Sequence, residues 1–303
     1  MIAHAVEVLR AGGLVAFPTE TVYGLGADAA NPDALRRLFA VKGRPTDHPV
    51  IVHVARAAQL DDLGRDVPDL AHVLAAAFWP GPLTLVVRRN VDRVAPEATG
   101  GRDTVGIRVP DHPVALELLD AFGGGVAAPS ANRFGRVSPT TAQHVRDDLG
   151  TDVDVVLDGG PSLVGVESTI VDVTGVEPVV LRVGGIDGEQ LARIVGAPLA
   201  QRTTGEIAAP GTLAAHYAPN ARVELVRTEE LGPRADRLRA EGLLVGVVES
   251  PATAGEYARV LYRQLRDLDA RGVDVILAVL PPDAEGIGAA VADRLRRAAA
   301  AAQ

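Results

Sequence analysis

Apolar positions over the first two-thirds of the chain switch repeatedly between two periods. Stretches with helical spacing cover 3–11, 32–41, 68–78, 113–122, 139–149 and 187–196. Short apolar runs lie between them, at 14–17, 50–54, 83–87, 104–109, 126–128, 153–157, 169–173 and 179–183. These runs are apolar on both faces and bounded by Gly or Pro, so they predict buried strands. Asn31 before Pro32 and Ser138 before Pro139 predict capped helix starts. Buried strands with intervening helices imply an α/β or α+β sandwich. From 221 a second cadence begins, with strands over 223–226, 243–248 and 273–279 and helices over 229–241, 254–271 and 286–301. That is the pattern of a small three-layer βαβ unit. Residues 198–220 separate the two; they are rich in Ala, Thr, Gly and Pro, lack a period, and read as a linker. The predicted organisation is a first domain over 1–197, a linker over 198–220 and a second domain over 221–303.

Composition narrows the function classes. The chain has 303 residues, a net charge of −9 and no cysteine, which removes disulfides, thiolate catalysis and Cys-ligated metals. Aromatics are only 3%, and an acidic chain with few aromatics is a poor holder of nucleic acid, so no stable tRNA binding is expected. No run is long enough for a membrane span and the start lacks a signal-peptide pattern, so a cytoplasmic protein with no membrane partner is expected. The second domain is nearly neutral, so almost all the negative charge belongs to the first. Against 29 arginines there is one lysine, Lys42, within Lys42-Gly43-Arg44-Pro45. Lysine offers a compact ammonium that a planar guanidinium does not replace. Two cations so close call for an anion or a carboxylate beside them.

Four further segments can carry chemistry. Pro18 to Gly26 sets two Thr hydroxyls and a carboxylate after a strand. Arg108 lies within an apolar strand and needs a partner, either an internal Glu or a ligand carboxylate. Ala127 to Asn132, leading to Ser138, offers small residues and hydroxyls suited to phosphate. Gly165 to Asp172, followed by Arg182, adds another hydroxyl and another in-strand Arg. No P-loop and no nucleophile elbow occurs. Positioned hydroxyls with Arg and Lys, and no covalent nucleophile, suit phosphoryl or nucleotidyl transfer. His53 sits on an apolar strand, and no His/Asp spacing suggests a protein-built metal site.

In order, P-T-E-T-V-Y-G-L-G, K-G-R-P-x-x-x-P-V-I-V-H, W-P-G-P-L-T, G-I-R-V-P, A-P-S-A-N-x-x-G and E-S-T-I-V-D resemble the YrdC family of L-threonylcarbamoyladenylate synthases. The P-G-x-x-x-x-H-Y-A-P linker and second domain resemble its long, two-domain form. The resemblance implies a twisted, open α/β sheet with a concave cavity, and a small Rossmann-like three-layer α/β C-terminal domain. It implies that L-threonine, bicarbonate and ATP, with Mg²⁺, become threonylcarbamoyl-AMP and pyrophosphate. A downstream threonylcarbamoyl-transferase complex would then modify an adenosine beside the tRNA anticodon.

Residue by residue, the resemblance places Thr21, His53, Arg108, Ala128 and Ser168 around L-threonine, with Arg108 on its carboxylate. Arg44, His48, Thr104, Ser130, Ser138, Arg182 and Tyr217 would contact ATP. Lys42 and Arg44 would be catalytic, with Lys42 facing the carbonate and phosphate end. The linker would close as a lid, hinged at Gly211, with Tyr217 as its cover. His48 stands where the family commonly has Asn. If it touched phosphate, binding would become pH-dependent near the His pKa. Two alternatives are a carbamoyl-adenylate enzyme of the hydrogenase-maturation type, disfavoured by the absence of cysteine, and an RNA-binding module, disfavoured by charge.

Overall fold

The structure is a computed structural model and describes residues 1–202, 210, 217–282 and 285–301. Gly211, the hinge of the expected lid, and His216 of the H-Y-A-P motif lie outside the described residues.

Among the described residues eleven strands form one mixed sheet, built by the first domain with an edge strand from the expected linker. At its centre Thr104–Arg108 runs parallel to Ile51–His53 and antiparallel to Leu83–Arg89. Beyond these, Thr169–Asp172 pairs parallel with Leu83–Arg89, and Val126–Ala127 pairs antiparallel with Ile51–His53. One face is covered by helices such as Pro32–Lys42 and Asp69–Phe78, whose Leu35, Leu38, Ala71 and Leu74 join the main core. The other is covered by Ile2–Arg10 and Pro113–Phe122, packed on Val15, Phe17 and Val126.

Local chemistry explains most boundaries. Asn31 accepts hydrogen bonds from the backbone N–H groups of Asp33 and Ala34, as the sequence predicts. The same helix ends at Gly43, whose φ of 66° suits glycine and turns the chain toward Arg44. Ser138 is not a cap: the next helix is Ala142–Leu149, and Thr141 caps it by accepting from the His144 N–H. Gly24–Asp28, within a segment that reads as a turn, is a strand antiparallel to Val15–Phe17. Ala200–Gln201, within the expected linker, pairs parallel with Val179–Arg182 at the sheet edge.

The second domain has a three-stranded parallel sheet, with Val275–Val279 between Arg222–Val226 and Val245–Val247. Residues of the central strand alternate between faces. Ile276 and Ala278 meet helices Ala254–Ala270 and Gly286–Ala300, while Val275 and Leu277 meet Leu231–Ala240. The first of these cores also includes Val22, Val137, Val166 and Tyr217, so the two domains share an apolar interface. Among the described residues no helix is long and apolar enough to cross a membrane.

Candidate functional site

Strand register gathers the chemistry at one end of the large sheet. His53 is directly opposite Arg108 in the parallel pair, so both close their strands side by side. Ala128 follows the neighbouring strand, with its N–H on the Ile51 carbonyl at 2.8 Å. Ser168 immediately precedes the strand Thr169–Asp172. Arg182 ends the strand Val179–Arg182. Gly184 lets this last segment approach closely: a Cβ there would lie 2.3 Å from the Glu167 carbonyl oxygen.

These ends line one cavity. Thr21, Arg44, His53, Arg108, Ala128, Ser130, Ser168, Arg182 and Tyr217 all contribute to its wall. Lys42, His48, Thr104 and Ser138 do not. Thr104 lines a separate, smaller pocket with Val86, Gly106 and Leu181. Ser138 is fully buried and donates to Glu167 at 2.7 Å. His48 supplies its carbonyl to Arg44, and its ring packs on Phe134 with centroids 5.7 Å apart. Partial burial and then the Arg44 charge lower the His48 pKa.

Lys42 has a different setting from the one its neighbours suggest. Its Nζ donates to the Ser130 carbonyl at 2.7 Å, the Asn132 carbonyl at 2.7 Å and Asn132 Oδ1 at 3.2 Å. Three oxygens meet the three hydrogens of an ammonium. Lys42 therefore fastens the 130–132 loop from behind, and Ser130 of that loop lines the cavity. Burial, and then the Arg44 charge, push its pKa well below the ordinary lysine range.

Arg108 answers its open question in both directions. Its Nη2 pairs with Glu20 Oε1 at 2.5 Å, its Nη1 donates to Thr21 Oγ1 at 3.0 Å and its Nε to the Gly81 carbonyl at 3.2 Å. Three of five N–H groups are thereby used, and the rest remain for a ligand. Glu20 Oε2 and His53 Nδ1 are buried and have no hydrogen-bond partner among the described residues, so each offers a hydrogen-bonding position. Burial and the adjacent Arg108 charge lower His53 to about 3, which keeps the imidazole neutral at physiological pH.

The remaining charges divide unevenly. Glu167 is paired with Arg294 Nε at 2.8 Å. Arg44 and Arg182 also line the cavity, yet among the described residues neither forms a salt bridge with a carboxylate. Arg44 donates to the carbonyls of His48 and Pro49. Arg182 donates to the Ser168 carbonyl, Ser168 Oγ and the Pro210 carbonyl. Burial lowers Arg44 to about 10, and it stays a cation. Two unneutralised guanidiniums in one cavity favour an anionic ligand.

Comparison with known proteins places this arrangement. Residues 7–184 match the Sua5/YciO/YrdC family, described as telomere recombination. The chain belongs to that family. Residues 186–300 match its partner domain, described as the threonylcarbamoyl-AMP synthase C-terminal domain. A threonylcarbamoyl-AMP synthase of Pyrococcus abyssi is 42% identical, with 98% of this chain and 93% of the relative covered. One from Bacillus subtilis is 41% identical, over 98% and 92%. The crystal structure of P. abyssi Sua5 complexed with L-threonine superposes with a TM-score of 0.94 at 41% identity, covering 99% of this chain and 94% of that one. Both domains of these two-domain relatives are thus matched here.

Three members of the site were singled out in the sequence only as parts of candidate segments, without a role of their own. Thr19 lines the cavity, and Glu20 neutralises Arg108. Glu167 also lines it, fixed by the second domain. A signal for Arg294 was available: it falls on the same helical face as Ile287, Val291 and Ala298, where a charge needs a buried partner.

Proposed function

We propose that this chain is a threonylcarbamoyl-AMP synthase, joining L-threonine, bicarbonate-derived CO₂ and ATP to give threonylcarbamoyl-AMP and pyrophosphate. The observation that carries it is one cavity whose wall combines two sets of side chains. One holds Thr21, Arg108, His53 and Ser168, with open hydrogen-bonding positions on His53 and Arg108. The other presents Arg44 and Arg182 without carboxylate partners. The first suits a small hydroxylated amino acid, with its carboxylate on the free N–H groups of Arg108. The second suits a triphosphate, and Mg²⁺ would arrive on its oxygens as MgATP.

In this reading the threonine amine, once deprotonated, adds to CO₂ to form a carbamate. The carbamate oxygen attacks the α-phosphorus and the bond to pyrophosphate breaks. The chain's residues position the two reactants and balance charge rather than form a covalent intermediate. Glu20 Oε2, beside Arg108 and Thr21, offers an acceptor for an amine hydrogen. Carbamates are labile in water, and Tyr217, buried at the cavity wall, helps to exclude it. The product would serve threonylcarbamoyladenosine formation in tRNA through a separate transferase complex. We place the reaction in the cytoplasm, consistent with a cysteine-free chain.

The test is pyrophosphate release from MgATP with bicarbonate and L-threonine, each omitted in turn. Release that needs both supports the reading. Release without bicarbonate would mean direct aminoacyl adenylation and would contradict it.

A further inference from the structure

The second domain reaches the cavity wall at Glu167, through a buried ion pair and a tyrosine hydroxyl. Arg294, on helix Gly286–Ala300, is 1% exposed, and its Nε donates to Glu167 Oε2 at 2.8 Å. Tyr262, on helix Ala254–Ala270, donates to the same carboxylate, 2.9 Å from Oε2 and 3.1 Å from Oε1. Ser138 supplies a further bond to Oε1. The Arg294 guanidinium lies 5.2 Å from the centroid of the Tyr217 ring, which stacks on Tyr262. Its other nitrogens hold Asp293 and the Val183 carbonyl.

Glu167 precedes Ser168, whose backbone carbonyl and hydroxyl both receive Arg182. Glu167 therefore sits beside two buried guanidiniums, one from each domain. It is bound to Arg294 alone, and Arg182 meets only neutral oxygens. A buried carboxylate without a counter-ion would draw on the nearest remaining cation. Here that cation is Arg182.

We propose that Arg294 is a positioning residue: acting from the second domain, it serves as the counter-ion of Glu167 and so leaves Arg182 free for the phosphates of the nucleotide. The inference rests on the cavity's reading as a site for ATP and adds a role for the second domain. Loss of Arg294 hands Glu167 to Arg182 and removes one of the two guanidiniums that have no carboxylate partner among the described residues. Loss of the Glu167 charge as well makes Arg294 unnecessary for this purpose. The threonine end is affected less, because Arg108 has its own carboxylate in Glu20 and only Ser168 is shared with Arg182.

The experiment is calorimetric binding of MgATP and, separately, of L-threonine to the full chain, with no turnover. Arg294→Met is expected to weaken MgATP at least tenfold and to leave threonine within about twofold. Arg294→Met with Glu167→Gln is expected to recover MgATP affinity to within about threefold of the wild type. Equal weakening of both ligands, or a double variant no better than the single one, overturns the proposal. If Arg294→Met fails to fold, Glu167→Gln alone decides: tighter MgATP binding supports the counter-ion role, and unchanged or weaker binding overturns it. Binding is read without chemistry. A wild type that releases no threonine-dependent pyrophosphate therefore counts against the proposed reaction, and unmoved MgATP affinity in Arg294→Met counts against this inference.

Discussion

Replacing Lys42 tests whether a single ammonium organises the cavity wall. In Lys42→Met the side chain keeps its length and loses its three donors. Three oxygens, the carbonyls of Ser130 and Asn132 and the amide oxygen of Asn132, then have no hydrogen from this side chain. A buried acceptor left without a partner costs about 1–3 kcal/mol. The Ser130 carbonyl keeps the Asn132 N–H at 3.0 Å, so two oxygens are left, at the low end about 2 kcal/mol, and relief of the ammonium's own desolvation keeps the total from rising far above that. Lys42→Arg restores the charge but not the geometry. A planar fork does not converge on three oxygens around one point, and the wider group has to displace the loop. The loop carries Ser130 into the cavity, so activity is expected to fall at least tenfold, about 1.4 kcal/mol in the barrier. Stability is read by urea unfolding with the fluorescence of Trp79, the only tryptophan and a member of the first domain. Activity is read by pyrophosphate release. Lys42→Arg within twofold of the wild type, or Lys42→Met destabilised by well under about 1 kcal/mol, would refute the loop-fastening role.

Two further perturbations address the buried carboxylates. Burial raises the Glu167 carboxyl, but the charges of Arg294 and Arg182 and the bonds from Arg294 and Ser138 outweigh it and hold it at about 2. Because the unfolded chain takes up this proton first, the stabilisation is full above about pH 4.5 and is lost as pH falls through about 2. The stability gap between wild type and Glu167→Gln should therefore narrow by about 2 kcal/mol between about pH 5 and pH 3, and a constant gap in urea titrations would contradict it. Arg108→Gln leaves Glu20 buried without its counter-ion and is expected to cost about 3–5 kcal/mol. Adding Glu20→Gln should return part of that loss, and a double variant less stable than Arg108→Gln would show that the pair is not the source.

Much of the fold was legible because the central strands are apolar on both faces and the helices carry clear end signals, such as Asn31 with Pro32 and Gly43. Gly24–Asp28 was not, because its glycines read as a turn. In the sheet, a Cβ at Gly26 would crowd Val126 at 2.8 Å and Phe17 at 2.9 Å, so glycine there serves strand packing. The site was legible where a polar side chain ends an apolar strand, as with His53 and Arg108. It was obscure where the partner is backbone. Nothing in the sequence shows that Lys42 ends on two carbonyls 88 and 90 residues away. The Glu167–Arg294 pair spans 127 residues and two domains, and only the folded interface brings it together.

The most direct test of the proposed reaction is to trace carbon. Purified protein would be incubated with MgATP, L-threonine and ¹³C-bicarbonate, and the adenylate product weighed by mass spectrometry. The account predicts one adenylate carrying both the threonine mass and one ¹³C atom. A threonyl-adenylate without the label, or label incorporated without threonine, would contradict it.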